Sequence, residues 1–280
     1  WDQCLPNSYK TESTITTDPY YVDQLLYTQD NQSQIDSQKF ITNISRNIPP
    51  FKNTSDKKPI YLITGAGGAG KTTFCEEALK KIDILTKDGL RKKAILLASY
   101  NLPDDIPSNS EISSIQDLFF LVKNQEKHLN ILSLELNISS GNFIIIIDGL
   151  DEIISKFKER FKFKNFIQSV LSLNETYLNC NLIITARGLT YSLDEYEVDG
   201  IEKLMLKGFD ESLALKYFSK RFNNLPNKDK FQKTALDYLK TINKNTETTP
   251  LVLKLISELV LDDCSKNTNI TNDSQFFIKD

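Results

Sequence analysis

One glycine-rich run combines residues whose types and spacing suit phosphate chemistry. It follows the pattern G-x-x-x-x-G-K-[ST] and consists of Gly65, Ala66, Gly67, Gly68, Ala69, Gly70, Lys71 and Thr72. Glycines let the backbone curl until successive N–H groups point at phosphate oxygens, and the N-terminus of a following helix adds partial positive charge. In such a loop the lysine reaches the β- and γ-phosphates, while the Thr72 hydroxyl binds Mg²⁺. We name residues 65–72 the phosphate loop; the alternative, a plain glycine-rich turn, is disfavoured by its Lys-Thr pair.

A second run places a carboxylate at the end of a predicted strand. Its apolar residues, Phe143-Ile144-Ile145-Ile146-Ile147, predict a strand covered on both sides, and Asp148 follows directly. Open α/β sheets bind ligands at the carboxyl ends of their strands. Since Mg²⁺ keeps most of its waters and needs few protein ligands, Thr72 and a water-mediated contact from Asp148 would suffice to hold it.

Two further acids and one arginine are candidates for catalysis. Asp151 and Glu152 lie in the turn after Asp148, and one of them could accept a proton from, or orient, an attacking water. The alternative is that both only stabilise a helix N-terminus. Arg187 follows the predicted strand 181–185 and would lie beside the γ-phosphate if that strand separates the two motif strands. Otherwise it is a surface arginine.

The base preference rests on a weaker observation. Guanine-binding proteins of this class carry an N-K-x-D motif, and the nearest match here, Asn227-Lys228-Asp229-Lys230, has its aspartate one place early. The sequence therefore favours ATP or ADP over guanine nucleotides, although adenine is often bound by backbone groups that leave no motif.

Strands and helices alternate around these residues. Predicted strands comprise residues 59–64, 94–99, 143–147, 181–185 and 203–206. Apolar residues at helical spacing follow, as with Phe74, Ala78 and Ile82 after the phosphate loop. This alternation predicts an α/β fold, a three-layer P-loop NTPase whose parallel sheet has helices on both faces.

From Asp210 onward the pattern predicts helices only, as a small all-α domain. Asp210 would cap the first helix, and Pro250 begins the third at the favoured first-turn position. This third helix, 251–261, is apolar on nearly every side, so we expect it to be buried. The expected organisation is an irregular lead-in with one short helix (1–57), a nucleotide-binding domain (58–208), a helical domain (209–264) and a loose polar tail (265–280).

Composition limits the partners. A formal net charge of −3 gives no electrostatic case for nucleic acid or an anionic membrane. The longest apolar run is far too short to cross a bilayer, and no signal peptide is visible. Four scattered cysteines favour a reducing, cytoplasmic setting over a disulfide framework. Because Trp1 replaces the usual methionine, we expect the chain to be part of a longer protein.

With these residues in place, the chain resembles the NACHT family of signal-transduction ATPases, a group within the STAND class. The stretch Gly65–Thr73 is shared with all P-loop ATPases, whereas the acidic stretch Asp148–Glu152 is far more specific to NACHT proteins. Leu206-Lys207-Gly208-Phe209, followed by a helix with Tyr217-Phe218, is similar to the family's transition from sheet to helical domain. The resemblance covers roughly residues 58–261.

The resemblance implies a slow ATPase that switches between ATP- and ADP-bound forms and self-associates to activate an attached effector. It implies that Thr73 contacts phosphate, that Pro250 lies against the nucleotide and that Arg187 senses the γ-phosphate. Tyr20-Tyr21-Val22 matches, loosely, a segment near the adenine. Flanking effector and sensor domains are expected, and the family's winged-helix domain would follow residue 280.

Two other classes share the phosphate loop. A small-molecule or nucleotide kinase usually carries an arginine-rich lid, whereas this sequence has only isolated arginines near the motifs. An AAA-type motor needs pore loops or basic strips toward its partner, and none is evident in the sequence. The regulatory ATPase is therefore the leading hypothesis, with the kinase and the motor as alternatives.

Overall fold

The computed structural model describes residues 19–29, 32–51, 60–90, 92–103, 110–122, 140–176, 181–188, 201–242 and 247–276. The strands are β1 (Leu25–Thr28), β2 (Gln34–Asp36), β3 (Ile60–Thr64), β4 (Lys93–Ala98), β5 (Phe143–Asp148), β6 (Asn181–Ala186) and β7 (Ile201–Leu206). The helices are α1 (Ser37–Ser45), α2 (Lys71–Lys87), α3 (Ile115–Val122), α4 (Leu150–Phe157), α5 (Phe163–Thr176), α6 (Glu211–Phe222), α7 (Lys228–Ile242) and α8 (Pro250–Phe276).

All seven strands form one sheet in the order β2-β1-β7-β3-β6-β5-β4. From β7 to β4 every neighbouring pair is parallel, while β1 pairs antiparallel with both β7 and β2. The strand β6 lies between β3, which leads into the phosphate loop, and β5, which ends at Asp148. The condition under which Arg187 would lie near the phosphate loop is thus met.

The sheet is covered on both faces. In β5, Ile145 and Ile147 pack with residues of α3, α4 and α5, whereas Ile144 and Ile146 pack with α1 and α2. A third cluster joins α6, α7 and α8 around Phe218. The predicted three-layer α/β fold with a helical part is therefore confirmed, and the run of isoleucines owes its apolarity to burial on two sides.

The lead-in is more ordered than predicted. Instead of an irregular segment, Leu25–Thr28 and Gln34–Asp36 form β1 and β2 on one side of the sheet, and the predicted short helix begins right after them as α1. Its first turn is capped by the Asp36 carboxylate, which accepts hydrogen bonds from the N–H groups of Gln38 and Lys39. The strands were missed because in β1 only Leu26 is buried, which leaves no alternating pattern.

The last helix also differs from prediction in two ways. It runs from Pro250 to Phe276, so residues 265–276 are helical rather than a loose tail; no glycine or proline follows Pro250 to stop the helix. It is also not buried all round, because Leu251, Leu255 and Leu259 are about half exposed on the side away from α6 and α7. None of the helices in the described ranges has the length and apolarity needed to cross a membrane.

Candidate functional site

The phosphate loop joins β3 to α2 in the strand-loop-helix context that its motif requires. Gly70 precedes α2 with φ of +91°, a backbone conformation that favours glycine. The first hydrogen bond of the helix runs from Phe74 N–H to Gly70 O, so the preceding N–H groups of Lys71, Thr72 and Thr73 have no partner within the helix. The Lys71 ammonium donates to the carbonyls of Gly65 at 2.8 Å and Ala66 at 3.0 Å.

The side chain of Gln24, which no sequence motif marks, holds the phosphate loop in place. Gln24, just before β1, is 1% exposed, and its Nε2 donates to Ala69 O at 2.8 Å and to Lys207 O at 3.2 Å. Its Oε1 would lie 2.9 Å from a Cβ atom at Gly70, so any larger residue there must displace it. Gln24 thus ties the phosphate loop to the segment after β7.

Replacing Gln24 with leucine leaves the buried carbonyl of Ala69 and the partly buried carbonyl of Lys207 without this donor. We expect a loss of about 1–3 kcal/mol in unfolding free energy and weaker nucleotide binding, because the loop loses its brace. Chemical denaturation and ADP titration would measure both, with Gln34→Leu as the control because Gln34 is an exposed residue of β2. Wild-type stability and affinity in Gln24→Leu would show that the brace has no energetic role.

Asp148 lies at the carboxyl end of β5 and is 3% exposed. The Thr185 hydroxyl, from the neighbouring β6, donates to its Oδ1 at 2.5 Å, and the Cys75 thiol of α2 lies 3.6 Å from the same oxygen. The Gly149 N–H donates in turn to the Thr185 hydroxyl at 3.1 Å. Strands β5 and β6 are therefore joined at their carboxyl ends by side-chain hydrogen bonds. Neither Thr185 nor Cys75 was predicted from sequence as a site residue.

Asp151 and Glu152, which we name the acidic pair, lie in the first turn of α4 and bind Arg187. The Arg187 guanidinium donates to Glu152 Oε1 at 2.8 Å, and its main-chain N–H donates to Asp151 Oδ1 at 3.1 Å. The other Glu152 oxygen accepts from the Ser99 hydroxyl, at the end of β4, at 2.7 Å. The three predicted residues are thus together, and Ser99 is an addition that strand position alone could have suggested.

The helical part reaches the phosphate loop through the start of α8. A two-residue bridge joins Phe209 to Thr248, with N–H···O distances of 2.6 and 2.8 Å. This bridge places the start of α8 against the phosphate loop. A Cβ atom added at Gly68 would lie 3.1 Å from Leu251 Cβ, and one added at Gly70 would lie 3.4 Å from Pro250 Cγ. Pro250 is therefore next to the phosphate loop.

Aromatic and basic residues occupy the side of the cleft formed by the N-terminal segment and α6. The Arg221 guanidinium lies 4.6 Å from the centre of the Tyr20 ring, and Tyr217 is on the same helix one turn earlier. The Lys220 ammonium donates to Tyr21 O at 2.6 Å, which attaches the segment to α6. The Arg221 Nε is buried and has no hydrogen-bond partner among the described residues, so this side of the cleft holds a donor that a ligand could use.

The phosphate loop, Asp148, the acidic pair, Arg187 and the start of α8 contribute residues to one cleft of about 680 Å³, within the range usual for small-molecule sites. Residues that line it are Pro19, Tyr20, Gly67, Gly68, Ala69, Gly70, Lys71, Thr72, Thr73, Glu76, Asp148, Gly149, Asp151, Glu152, Arg187, Tyr217, Arg221, Pro250, Leu251 and Lys254. Gly65 and Ala66 contribute through their carbonyl bonds to Lys71. Every predicted site residue is therefore at the cleft or bonded to a residue that lines it.

Burial and neighbouring charges shift the pKa of two side chains that line the cleft, Lys71 and Glu76. Burial lowers the pKa of Lys71, and the neighbouring Asp151 carboxylate opposes that shift. Burial also raises the pKa of Glu76, and the nearby Asp148 carboxylate raises it further. Two carboxylates thus lie near each other on the Asp148 side, an arrangement that a bound divalent cation would stabilise.

The residues present fit a magnesium-bound nucleotide by their chemistry. The phosphate loop offers N–H groups and an ammonium to phosphate oxygens, while Thr72 and Asp148 offer the hard oxygen donors that Mg²⁺ prefers.

Comparisons with known proteins found distant structural similarity and no related sequence. No protein-family model matches the sequence, and no curated protein matches it either. Among solved structures, that of the Aeropyrum pernix ORC2 protein, in ADPNP-ADP complexes, is similar with a TM-score of 0.45 and 14% sequence identity. The similarity covers 79% of this chain and 65% of that one. A likeness at this level does not bear on activity, so the function of this chain has to be inferred from the site itself.

Proposed function

We propose that the chain is a nucleotide-binding regulatory ATPase module, similar to NACHT proteins, which binds ATP or ADP with Mg²⁺ and hydrolyses ATP slowly. The observation that carries the proposal is the single cleft bordered by the phosphate loop, Asp148, the acidic pair and Arg187. Loop and helix N–H groups suit the phosphates, and a carboxylate at the adjacent strand end suits their metal.

Each part of the site has a proposed task. The phosphate loop binds the α- and β-phosphates through its N–H groups, and Lys71 binds the β- and γ-phosphates. Thr72 and Asp148 would hold Mg²⁺, which when bound neutralises charge on the phosphates. Glu152 orients the attacking water and accepts its proton. Arg187 donates to the γ-phosphate, and doing so requires it to leave Glu152.

The switching role is inferred from which parts of the chain share the cleft. Pro250, Leu251 and Lys254 belong to α8, whereas the phosphate loop belongs to the sheet domain. A nucleotide in the cleft would therefore contact both parts. Whether ATP or ADP is bound can then favour one arrangement of the helical part relative to the sheet domain over another. In the longer protein that we propose, this bias would control self-association and the activity of flanking effector and sensor domains.

Two measurements on the purified chain test the proposal against the kinase alternative. We expect tight ADP binding, with nucleotide retained through purification, and slow release of inorganic phosphate from ATP in single-turnover reactions without an acceptor. Phosphate transfer to an added acceptor together with rapid ADP exchange would favour a kinase. Absence of nucleotide binding would refute the proposal outright.

Arg221 provides a separate prediction about the nucleoside end. Arg221→Met removes the buried Nε–H donor and the stacking on Tyr20 while keeping the side-chain length. We expect ADP affinity to fall about tenfold, the effect of losing one charged hydrogen bond. Inorganic pyrophosphate, which has no nucleoside, should bind within about twofold of wild type.

The comparison between the two ligands locates the effect. Lys216→Met, on the exposed side of the same helix, is the matched control and should change neither affinity. An equal loss for ADP and pyrophosphate would place Arg221 at the phosphates. Unchanged ADP affinity would mean that Arg221 does not contact the nucleotide.

A further inference from the structure

We propose that Thr185 is a positioning residue: it orients the Asp148 carboxylate for Mg²⁺ and connects it to the turn that carries the acidic pair. The inference rests on the proposed function, since it concerns how the same site holds its metal. In the sequence the stretch Thr185-Ala186-Arg187 gave a role to Arg187 and none to this threonine.

One oxygen of Asp148 is held by two donors. The Thr185 hydroxyl donates to Asp148 Oδ1 at 2.5 Å, and the Cys75 thiol lies 3.6 Å from the same atom. Thr185 and Cys75 are fully buried and Asp148 is 3% exposed. Both donors come from elements other than β5, so the carboxylate is held from two sides with Oδ1 facing inward.

The other oxygen of the carboxylate is left for the cleft. Among the described residues no side chain or backbone group donates to Asp148 Oδ2, and Asp148 lines the cleft. With Oδ1 occupied, Oδ2 is the atom left for a metal-bound water. A free carboxylate can rotate to present either oxygen, so fixing its orientation lowers the cost of ordering the metal site.

The same hydroxyl is also linked to the acidic pair. Because the Thr185 hydroxyl donates to Asp148, its lone pair is available to accept the Gly149 N–H at 3.1 Å. Gly149 has φ of +75° and precedes α4, whose first turn holds Asp151 and Glu152. One buried hydroxyl therefore fixes both the carboxylate and the start of the helix behind it.

The alternative is that Thr185 has only a packing role at the end of β6. Valine has nearly the same shape and neither donates nor accepts, so it separates the two interpretations. Serine keeps the hydroxyl and loses only a methyl group. If Thr185 positions Asp148, the serine variant should retain the metal response that the valine variant loses.

The experiment titrates the whole chain with a non-hydrolysable ATP analogue, first in excess chelator and then over a range of Mg²⁺ concentrations. For Thr185→Val we expect the half-saturating Mg²⁺ concentration to rise about tenfold, the effect of one charged hydrogen bond. Affinity without Mg²⁺ should stay within about twofold, since the phosphate loop is untouched. Thr185→Ser should respond to Mg²⁺ like wild type.

A double-mutant cycle tests whether Thr185 acts through Asp148. In an Asp148→Asn background, Thr185→Val should add no further shift in Mg²⁺ dependence, because the carboxylate that it positions is gone. A full tenfold shift in that background would overturn the proposal, and so would a wild-type response of the single Thr185→Val variant.

Folding and nucleotide binding are controlled separately. Should Thr185→Val fail to fold, Thr185→Cys replaces it. A thiol of similar size donates weakly, so the half-saturating Mg²⁺ concentration is expected to rise about threefold. A wild-type response of this variant overturns the proposal. If wild type binds the analogue but no Thr185 variant alters Mg²⁺ dependence, only this inference fails. If wild type binds no nucleotide, the proposed function fails with it.

Discussion

Replacing Lys71 with alanine is expected to weaken ATP and ADP binding by about 100-fold or more. The ammonium is the one cation that the phosphate-loop motif supplies, and losing a charged hydrogen-bond donor to phosphate costs about 1.5–3 kcal/mol. Each 1.4 kcal/mol corresponds to about tenfold in affinity, so the upper part of this range gives the expected loss. Nearby Asp148 and the acidic pair add repulsion once the cation is gone.

The same substitution also affects the loop itself. Lys71 Nζ donates to the carbonyls of Gly65 and Ala66, so alanine removes two contacts that hold the loop in place. Thermal unfolding must therefore accompany the affinity measurement, and the expected drop in stability is small because the ammonium is partly exposed to water.

Lys80→Ala is the matched control for Lys71→Ala. Lys80 is on the same helix α2 but pairs with Glu77 at 3.2 Å and does not line the cleft. We expect it to bind both nucleotides like wild type in isothermal titration. Unchanged affinity in Lys71→Ala would contradict the assignment of the phosphate loop, however well the fold agrees with it.

The main elements could be predicted from sequence because burial dictates their composition. A strand with cover on both faces must be apolar at every position, and the run ending at Asp148 satisfies this without any tertiary information. The order of strands is different in kind. The sequence placed Arg187 near the phosphate loop only on the condition that β6 lies between β3 and β5. The strand pairing in the sheet shows that this condition is met.

Elements with one-sided cover were the ones missed or misjudged. In β1, Leu26 pairs with Leu206, far away in the chain, and only one strand residue is buried. A local pattern cannot reveal a strand with so little burial, so Gln24 beside it had no visible role. In α8 the opposite occurred: apolar residues suggested full burial, yet Leu255 and Leu259 face away from the helical cluster.

Single polar residues near the carboxyl end of β5 form a third group. Thr185, Ser99 and Cys75 all contact the predicted carboxylates, but no spacing rule marks them. What they share is position, because each lies on an element adjacent to β5 near its carboxyl end. Once the strand order is known, polar residues at the ends of neighbouring strands become candidates for contacts with these carboxylates. The strand order itself comes from the fold and not from the sequence pattern.

Glu152→Gln is expected to slow single-turnover ATP hydrolysis by about 100-fold or more, within the range of general-base contributions. Glutamine has the same shape but cannot accept the proton of water. Nucleotide binding should persist, since the phosphate loop and Asp148 are unchanged. Glu159→Gln, just beyond α4 and outside the cleft, is the control and should hydrolyse ATP at the wild-type rate.

Geometry favours Glu152 over Asp151 for this task. Asp151 Oδ1 accepts the main-chain N–H of Arg187 at 3.1 Å, so this carboxylate is tied to the end of β6. Among the described residues, the Glu152 carboxylate is bound by two side chains, Ser99 and Arg187, which can move aside. Asp151→Asn should therefore slow hydrolysis about tenfold by displacing Arg187. A wild-type rate in Glu152→Gln with no activity in Asp151→Asn would reverse the assignment.

Binding measurements on Glu152→Gln test the exchange that the mechanism requires. Arg187 pairs with Glu152 at 2.8 Å, and to reach a γ-phosphate it must give up that ion pair. Exposed pairs of this kind contribute about 0–1 kcal/mol, so removing the pair should tighten ATP binding by up to about fivefold. ADP has no γ-phosphate, so its affinity should not change. Equal tightening of both nucleotides would mean that Arg187 does not distinguish them, and its proposed role at the γ-phosphate would fail.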